Sequence, residues 1–234
     1  MRQYSIDARN IKNPIYPCPI KMGGKNANGQ MLSIGNYYLS LNGKPFFGIC
    51  GEAHFSRMNR ELWEDEIIKM KAGGLNIIAT YIFWIHHEEI EGTFDFSGNK
   101  DLRIFLELCK KNHMYVILRI GPFSHGECRN GGFPDWIYGQ PFDIRCDDPS
   151  YLYYTRRFYE QIYQQAKGLL FKDNGPVIGV QLENEHEHAS CPWEMTTENS
   201  KEWVVSGHDG KNHMNTLKKI AKEVGFDVPL YTAT

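Results

Sequence analysis

The sequence predicts an α/β fold: a (β/α)8 TIM-type barrel, truncated after the fifth strand. Three observations lead there. Apolar strand-like runs alternate with helical stripes from residue 46 onward, the pattern of parallel strands joined by right-handed crossovers. The connections after the third and fourth of these strands, 124–148 and 186–208, are oversized, and in βα barrels the chemistry sits on loops at that end. The first strand leads into GEAHFSRMN rather than a Gly-rich phosphate loop, which argues against a five-stranded doubly wound sheet.

The elements follow in order. Residues 1–35, rich in Asn, Gly, Lys and Pro, read as an irregular lead-in to one domain over 36–234. In YYLSLNGKPFFGI, Asn42-Gly43 lies between two alternating apolar arms and signals a tight hairpin. FFGICG (46–51) is the first barrel strand, and RELWEDEIIKMKAGG puts Leu62, Trp63, Ile67 and Met70 on one helical face, stopped by Gly73-Gly74. NIIATYIFW (76–84) is a strand. KDLRIFLELCKKN is a helix with Leu102, Phe105, Leu106 and Cys109 inward. MYVILRIGPF (114–123) is the third strand, and Asp148-Pro149 supplies a cap and first-turn proline for a helix over 150–171. VIGVQLENE (177–185), HMNTLKKIAKEVG (213–225) and VPLYTAT complete the series.

Composition narrows the function. A net charge of −2 without a basic run speaks against nucleic acid. No stretch is long and apolar enough for a membrane span, and MRQYSIDARN has no apolar leader core. The six cysteines are scattered with no CxxC pair, so free thiols are expected rather than a disulfide framework. With no Asn-x-Ser/Thr acceptor either, the expected compartment is the cytoplasm.

VIGVQLENE poses the chemical question, because an apolar strand runs out onto two carboxylates. Simple alternation sends Ile178, Val180 and Leu182 toward the helices, and Val177, Gly179, Gln181, Glu183 and Glu185 toward the barrel. A carboxyl at the mouth would be partly desolvated and suited to general acid work. The bland alternative is a salt bridge to an inward Arg such as Arg119. Tyr81, Trp84, His86 and His87 end the second strand, and Glu127 and Trp136 follow the third. Rings and carboxylates around one mouth suit a sugar, although Tyr81 or Trp84 taken alone is more often core.

TYIFWIHHE, ILRIGPFSHGECRNGGFPDW, GPVIGVQLENE, GEAHFSR and LWEDEIIKMKAGGLN resemble the signature segments of glycoside hydrolase family 35, the β-galactosidases. The resemblance covers residues 36–234 and implies a retaining mechanism through a covalent glycosyl-enzyme, using two carboxylates about 5–5.5 Å apart. Carried over by position, it makes Glu185 the acid/base and Asn184 the partner of the sugar 2-hydroxyl. Tyr81, Gly126 and Glu127 become sugar contacts, and Glu183 a residue that positions its neighbours. Glu52 is either a mouth carboxylate or half of a buried ion pair. The implied partner is a β-galactoside oligosaccharide or glycoconjugate, with no cofactor, no metal, and the oligomeric state open.

The sequence departs from the family's pattern in places. His186-Glu187 stands where the family usually has Tyr-Gly. His186, Glu187, His188 and Cys191 raise a zinc reading that the family does not require. WEMTTENSKEW (193–203) could close over the site or simply pack. The family's nucleophilic glutamate belongs to the seventh barrel strand, beyond Thr234, so the expectation is a fragment of a longer enzyme, inactive alone. The rivals are a catalytically dead carbohydrate-binding remnant and a related barrel glycosidase with a different glycone.

Overall fold

The computed structural model describes residues 4–5, 14–17, 24–186 and 210–233. The insert 193–203, together with Cys18, Glu187, His188 and Cys191, lies outside them. Two sheets make the frame. An antiparallel meander joins β1 (Leu32–Ile34), β2 (Leu39–Leu41) and β3 (Lys44–Phe46). A parallel sheet then runs in strict chain order through β4 (Cys50–Glu52), β5 (Ile77–Tyr81), β6 (Tyr115–Arg119), β7 (Val177–Gln181) and β8 (Leu230–Tyr231).

That order decides the architecture. A doubly wound sheet reverses direction at a switch point and carries its first strand inside. Here each strand pairs in parallel with the next in sequence, the succession of a βα barrel. The crossovers are α1 (Trp63–Ala72), α3 (Leu102–Lys111), α4 (Pro149–Ala166) and α5 (Gly210–Val224), with a single turn, α2 (Trp84–His87), closing the second strand.

Local chemistry explains the elements. Asn42 and Gly43 both take left-handed φ, 55° and 75°, between Leu41 and Lys44, as the two-residue hairpin turn requires. Asp101 caps α3 by accepting from the Ile104 N–H, and Leu102, Phe105, Leu106 and Cys109 are all fully buried. Asp148 caps α4 by accepting from Ser150 and Tyr151, with Pro149 in the first turn. Trp84 stacks on Phe158 at 4.7 Å and 3°, fixing α2 against α4.

Several boundaries differ from the sequence reading. The lead-in is not irregular throughout, since β1 falls inside it. Leu32 pairs with Leu41, and the Ser33 and Ser40 hydroxyls meet at 2.7 Å, so the hairpin extends back through a turn at Asn36-Tyr37, closed by the Gly35 N–H donating to the Tyr38 carbonyl. The first barrel strand starts at Cys50, not Phe46; Leu62 is exposed; and α4 ends at Ala166. β5 stops at Tyr81, which moves Trp84 onto α2.

The register of β7 matters most. Val116 pairs with Val177 and Ile117 with Gly179, leaving Ile178 as an extra bulged residue. Val177, Val180 and Leu182 therefore pack in the helix-side core, while Ile178 joins Leu32, Ile77 and Phe171 on the other face. Alternation had assigned Val177 and Ile178 the other way round. The meander lies over this second cluster, beside the starts of β5 and β6, and the strand ends Tyr81, Arg119 and Gln181 lie at the opposite end.

Candidate active site

Beyond Leu182 the period of two breaks. Glu183 and Glu185 both take left-handed φ, 56° and 45°, a strained choice for side chains with a Cβ. Backbone bonds hold the turn: the Glu183 N–H donates to the Gly121 carbonyl at 2.7 Å and the Glu185 N–H to the Ala233 carbonyl at 3.0 Å. The side chains of Glu183, Asn184 and Glu185 consequently point to three different places.

Glu183 goes inward. Arg145 donates to both of its carboxylate oxygens, from Nε at 2.8 Å and Nη2 at 2.7 Å, and both side chains are fully buried. The same guanidinium lies 3.8 Å from the Phe123 ring centroid and reaches the Asn184 carbonyl at 3.2 Å. The partner is thus Arg145, not the anticipated Arg119. Arg145 comes from the oversized 124–148 connection, and nothing in its sequence surroundings marks it as inward. Glu183 in turn accepts from the Asn184 N–H at 2.8 Å.

Asn184 takes the place at the strand ends that alternation gave to Glu183. Its Oδ1 accepts from the Tyr81 hydroxyl at 3.0 Å, Arg119 Nη2 at 2.8 Å and Gln181 Nε2 at 3.2 Å. The Arg119 guanidinium sits 3.7 Å over the Tyr81 ring and pairs with Glu52, whose other oxygen lies 3.1 Å from His54 Nε2. Glu52 is therefore in an ion pair, but a half-exposed one rather than a buried one. Burial pushes the Tyr81 phenol well above its ordinary value, keeping it a neutral donor.

Glu185 is exposed, so the expected partial desolvation is absent. Glu127 is exposed too, at the end of a left-handed run His125-Gly126-Glu127 with φ of 57°, 53° and 47°. Glycine is required in the middle, because a Cβ on Gly126 would stand 2.9 Å from Phe83 Cε1 and 3.0 Å from Tyr81 Cε2. The Glu127 carbonyl accepts from Arg57 at 3.2 Å. Arg57, His86, Glu89, Glu127 and Arg129 help line a cleft of about 470 Å³.

Tyr81 and Asn184 are thus brought into contact, and Gly126 packs against Tyr81. Trp84 and Trp136 are not ligand platforms. Trp84 is fully buried and donates to Glu88 at 2.7 Å, while Trp136 donates to the Glu88 carbonyl and meets Trp84 edge-on. His87 is buried against Phe96, and His86 meets the Ser56 hydroxyl at 2.9 Å. His186, drawn into the zinc reading, is buried and bonded to the Arg145 carbonyl at 2.9 Å. Among the described residues no cluster could hold a metal ion, and Cys50, Cys109, Cys128 and Cys146 are free thiols. Sequence reasoning missed Arg145, Gln181 as a donor to Asn184, and the pairing of Arg119 with Glu52.

A family model described as Glycosyl hydrolases family 35 matches residues 38–228. A β-galactosidase of Xanthomonas manihotis is 36% identical over 169 residues, 72% of this chain and 28% of that protein. The Homo sapiens β-galactosidase is 38% identical over 167 residues, 70% of this chain and 25% of that protein. Mus musculus β-galactosidase-1-like protein 3 is 32% identical over 202 residues, 86% of this chain and 28% of that protein. The chain spans about a quarter of the length of the curated relatives it matches. Among solved structures, a GH5_18 protein from Streptomyces cattleya in complex with GlcNAc superposes with a TM-score of 0.61 at 8% identity, covering 79% of this chain and 44% of that one. An exo-β-1,4-mannosidase, Op5Man5 from Opitutaceae bacterium strain TAV5, gives 0.57 at 15% identity, covering 91% and 34%. At such identities the likeness concerns the fold alone.

Proposed function

The chain belongs to glycoside hydrolase family 35, and from that membership we propose that it supplies the acid/base side of a retaining site removing terminal non-reducing β-D-galactose. One observation carries the reading: exposed Glu185 directly follows an Asn184 amide fixed by three donors. A free carboxyl beside an immobilised hydrogen-bonding group is what general acid catalysis at a held sugar needs.

Glu185 gives its proton to the glycosidic oxygen as the bond to the anomeric carbon breaks. It then takes a proton from the water that displaces the sugar from the enzyme. Asn184 holds the 2-hydroxyl, while Tyr81, Gly126 and Glu127 line the sugar's other side. Glu183, fully buried with both oxygens engaged by Arg145, is unsuited to the role of nucleophile, and Glu52 is paired with Arg119 and His54. That role falls to a carboxylate on a later barrel strand, as the family implies.

The test is turnover by the intact protein on matched aryl β-glycosides of galactose, glucose, mannose and N-acetylglucosamine. The reading expects galactoside hydrolysis with kcat/KM at least tenfold above the others. Preference for another glycone would move the protein to a different specificity, and no hydrolysis of any would favour a binding role.

A further inference from the structure

Asn184 is held more tightly than its own sequence position explains, and two of the groups that hold it are unassigned. We propose that Arg119 and Gln181 are positioning residues that lock the Asn184 amide oxygen inward and leave its nitrogen to the ligand. The sugar-contacting part of this rests on the function proposed above; the locking does not.

The orientation follows from obligate donors. A guanidinium has no acceptor, so the atom of Asn184 that lies 2.8 Å from Arg119 Nη2 must be the oxygen. Gln181 gives the same answer independently. Its Nε2 also donates to the Glu183 carbonyl at 3.0 Å, which only accepts, so the atom 3.2 Å away in Asn184 is again an acceptor. Turning the amide over would set an NH2 group against two donors. Tyr81, able to give or accept, fits either way and therefore does not decide the matter.

The holders are themselves held. Arg119 is fixed by its ion pair with Glu52 and by the Tyr81 ring beneath it, and Glu52 is met on its other side by His54. The Tyr81 N–H lies 3.4 Å from His54 Nδ1, which makes Nδ1 the acceptor and puts the ring proton on Nε2, facing Glu52. Gln181 is fixed through Glu183, and Glu183 through Arg145. Among the described residues nothing accepts from Asn184 Nδ2. The locked amide therefore presents donors only, and the ligand atom opposite it must be an acceptor such as a hydroxyl oxygen.

Two measurements on the intact protein, with Arg119→Met and Gln181→Met, test this. In the unliganded protein, the Asn184 side-chain NH2 should give two dispersed proton resonances that exchange slowly with each other. Either substitution should move both resonances toward the positions of a free side-chain amide, still as two lines because rotation about the amide C–N bond stays slow; unchanged resonances in both variants overturn the proposal. On an aryl β-galactoside, Arg119→Met should lower kcat/KM by about 10²-fold in the parent but by less than threefold in an Asn184→Ala background. Fully additive losses would mean that Arg119 acts by another route and also overturn it. Resonances that move in this way in a protein that hydrolyses no glycoside would uphold the locking and sink only the functional reading. If Arg119→Met does not fold, Gln181→Met carries both arms.

Discussion

Arg145 holds both carboxylate oxygens of Glu183 from inside the core, at 2.8 and 2.7 Å, and so joins a long surface connection to the end of a barrel strand. A buried pair of this kind is expensive to break from one side, because the remaining charge is left dry and unpaired. Arg145→Met and Glu183→Gln should each destabilise the protein by about 3–5 kcal/mol. The double variant Arg145→Met/Glu183→Leu should recover most of that loss. Urea denaturation of the three variants checks it; equal, small losses would show that the pair is not energetically coupled.

His87 makes the fold acid-sensitive. Its ring packs between Phe55 and Phe96, Nδ1 donates to the Asp95 carbonyl at 3.0 Å, and Nε2 is buried without a partner. Burial lowers its pKa to about 4, whereas an unfolded histidine titrates near 6.5. The unfolded chain therefore takes up a proton that the native state refuses. Stability is full above about pH 6.5 and falls as the pH drops toward 4, by about 3 kcal/mol for this group. His54, His86, His186 and His213 are shifted downward by burial as well and add to the same trend. Denaturation midpoints at pH 7, 6 and 5 should fall steadily, and His87→Phe should flatten that slope by about one proton.

At the start of α4, Asp148 satisfies two N–H groups that the helix cannot pair internally. Asp148→Ala should cost about 1 kcal/mol, and Asp148→Asn much less. A neutral Asp148→Ala would mean that tertiary packing alone fixes this helix end.

Glu127 and Asn184 should each prove to act in catalysis, and exposed Glu127 should separate catalysis from folding. Groups that hold sugar hydroxyls more tightly at the transition state depress kcat as well as affinity when removed. In the intact protein, Glu127→Gln and Asn184→Ala should each lose about 10²-fold in kcat/KM. The melting temperature should stay nearly unchanged for the exposed Glu127 and fall for Asn184→Ala, which strands the Tyr81, Arg119 and Gln181 donors without unfolding the protein. Full activity in both, or activity lost only through unfolding, would remove them from the site.

The order of strands and helices was legible in the sequence because each element carries its own period and cap: Leu102, Phe105, Leu106 and Cys109 on α3, Asp148-Pro149 before α4, Asn42-Gly43 between β2 and β3. The side-chain directions at the site were less so. A bulge at Ile178 and a left-handed φ at Glu183 each break the alternation that a strand pattern presupposes. The first exchanges the faces of Val177 and Ile178, and the second sends Glu183 inward and Asn184 to the strand ends. Arg145 was illegible for a different reason: its partner lies 38 residues away, and a loop arginine has no periodicity to betray burial. Trp136 misled because aromatic residues near a strand end look alike whether they pack or bind, whereas Trp84 lies in the core, the commoner place for such a ring taken alone.

The central claim is that Glu185 is the acid/base, and the product of chemical rescue tests it most directly. Without its acid/base, an enzyme of this kind should lose about 10²–10⁴ in rate on poor leaving groups. An activated aryl β-galactoside needs no acid, so its first step survives and the covalent intermediate accumulates. Azide needs no base to attack that intermediate and fits the space the missing carboxyl leaves. The intact Glu185→Ala protein is therefore expected to regain turnover with azide and to yield a β-galactosyl azide. An α-galactosyl azide would contradict the account, because it would mean that azide attacked the substrate directly in place of a missing nucleophile.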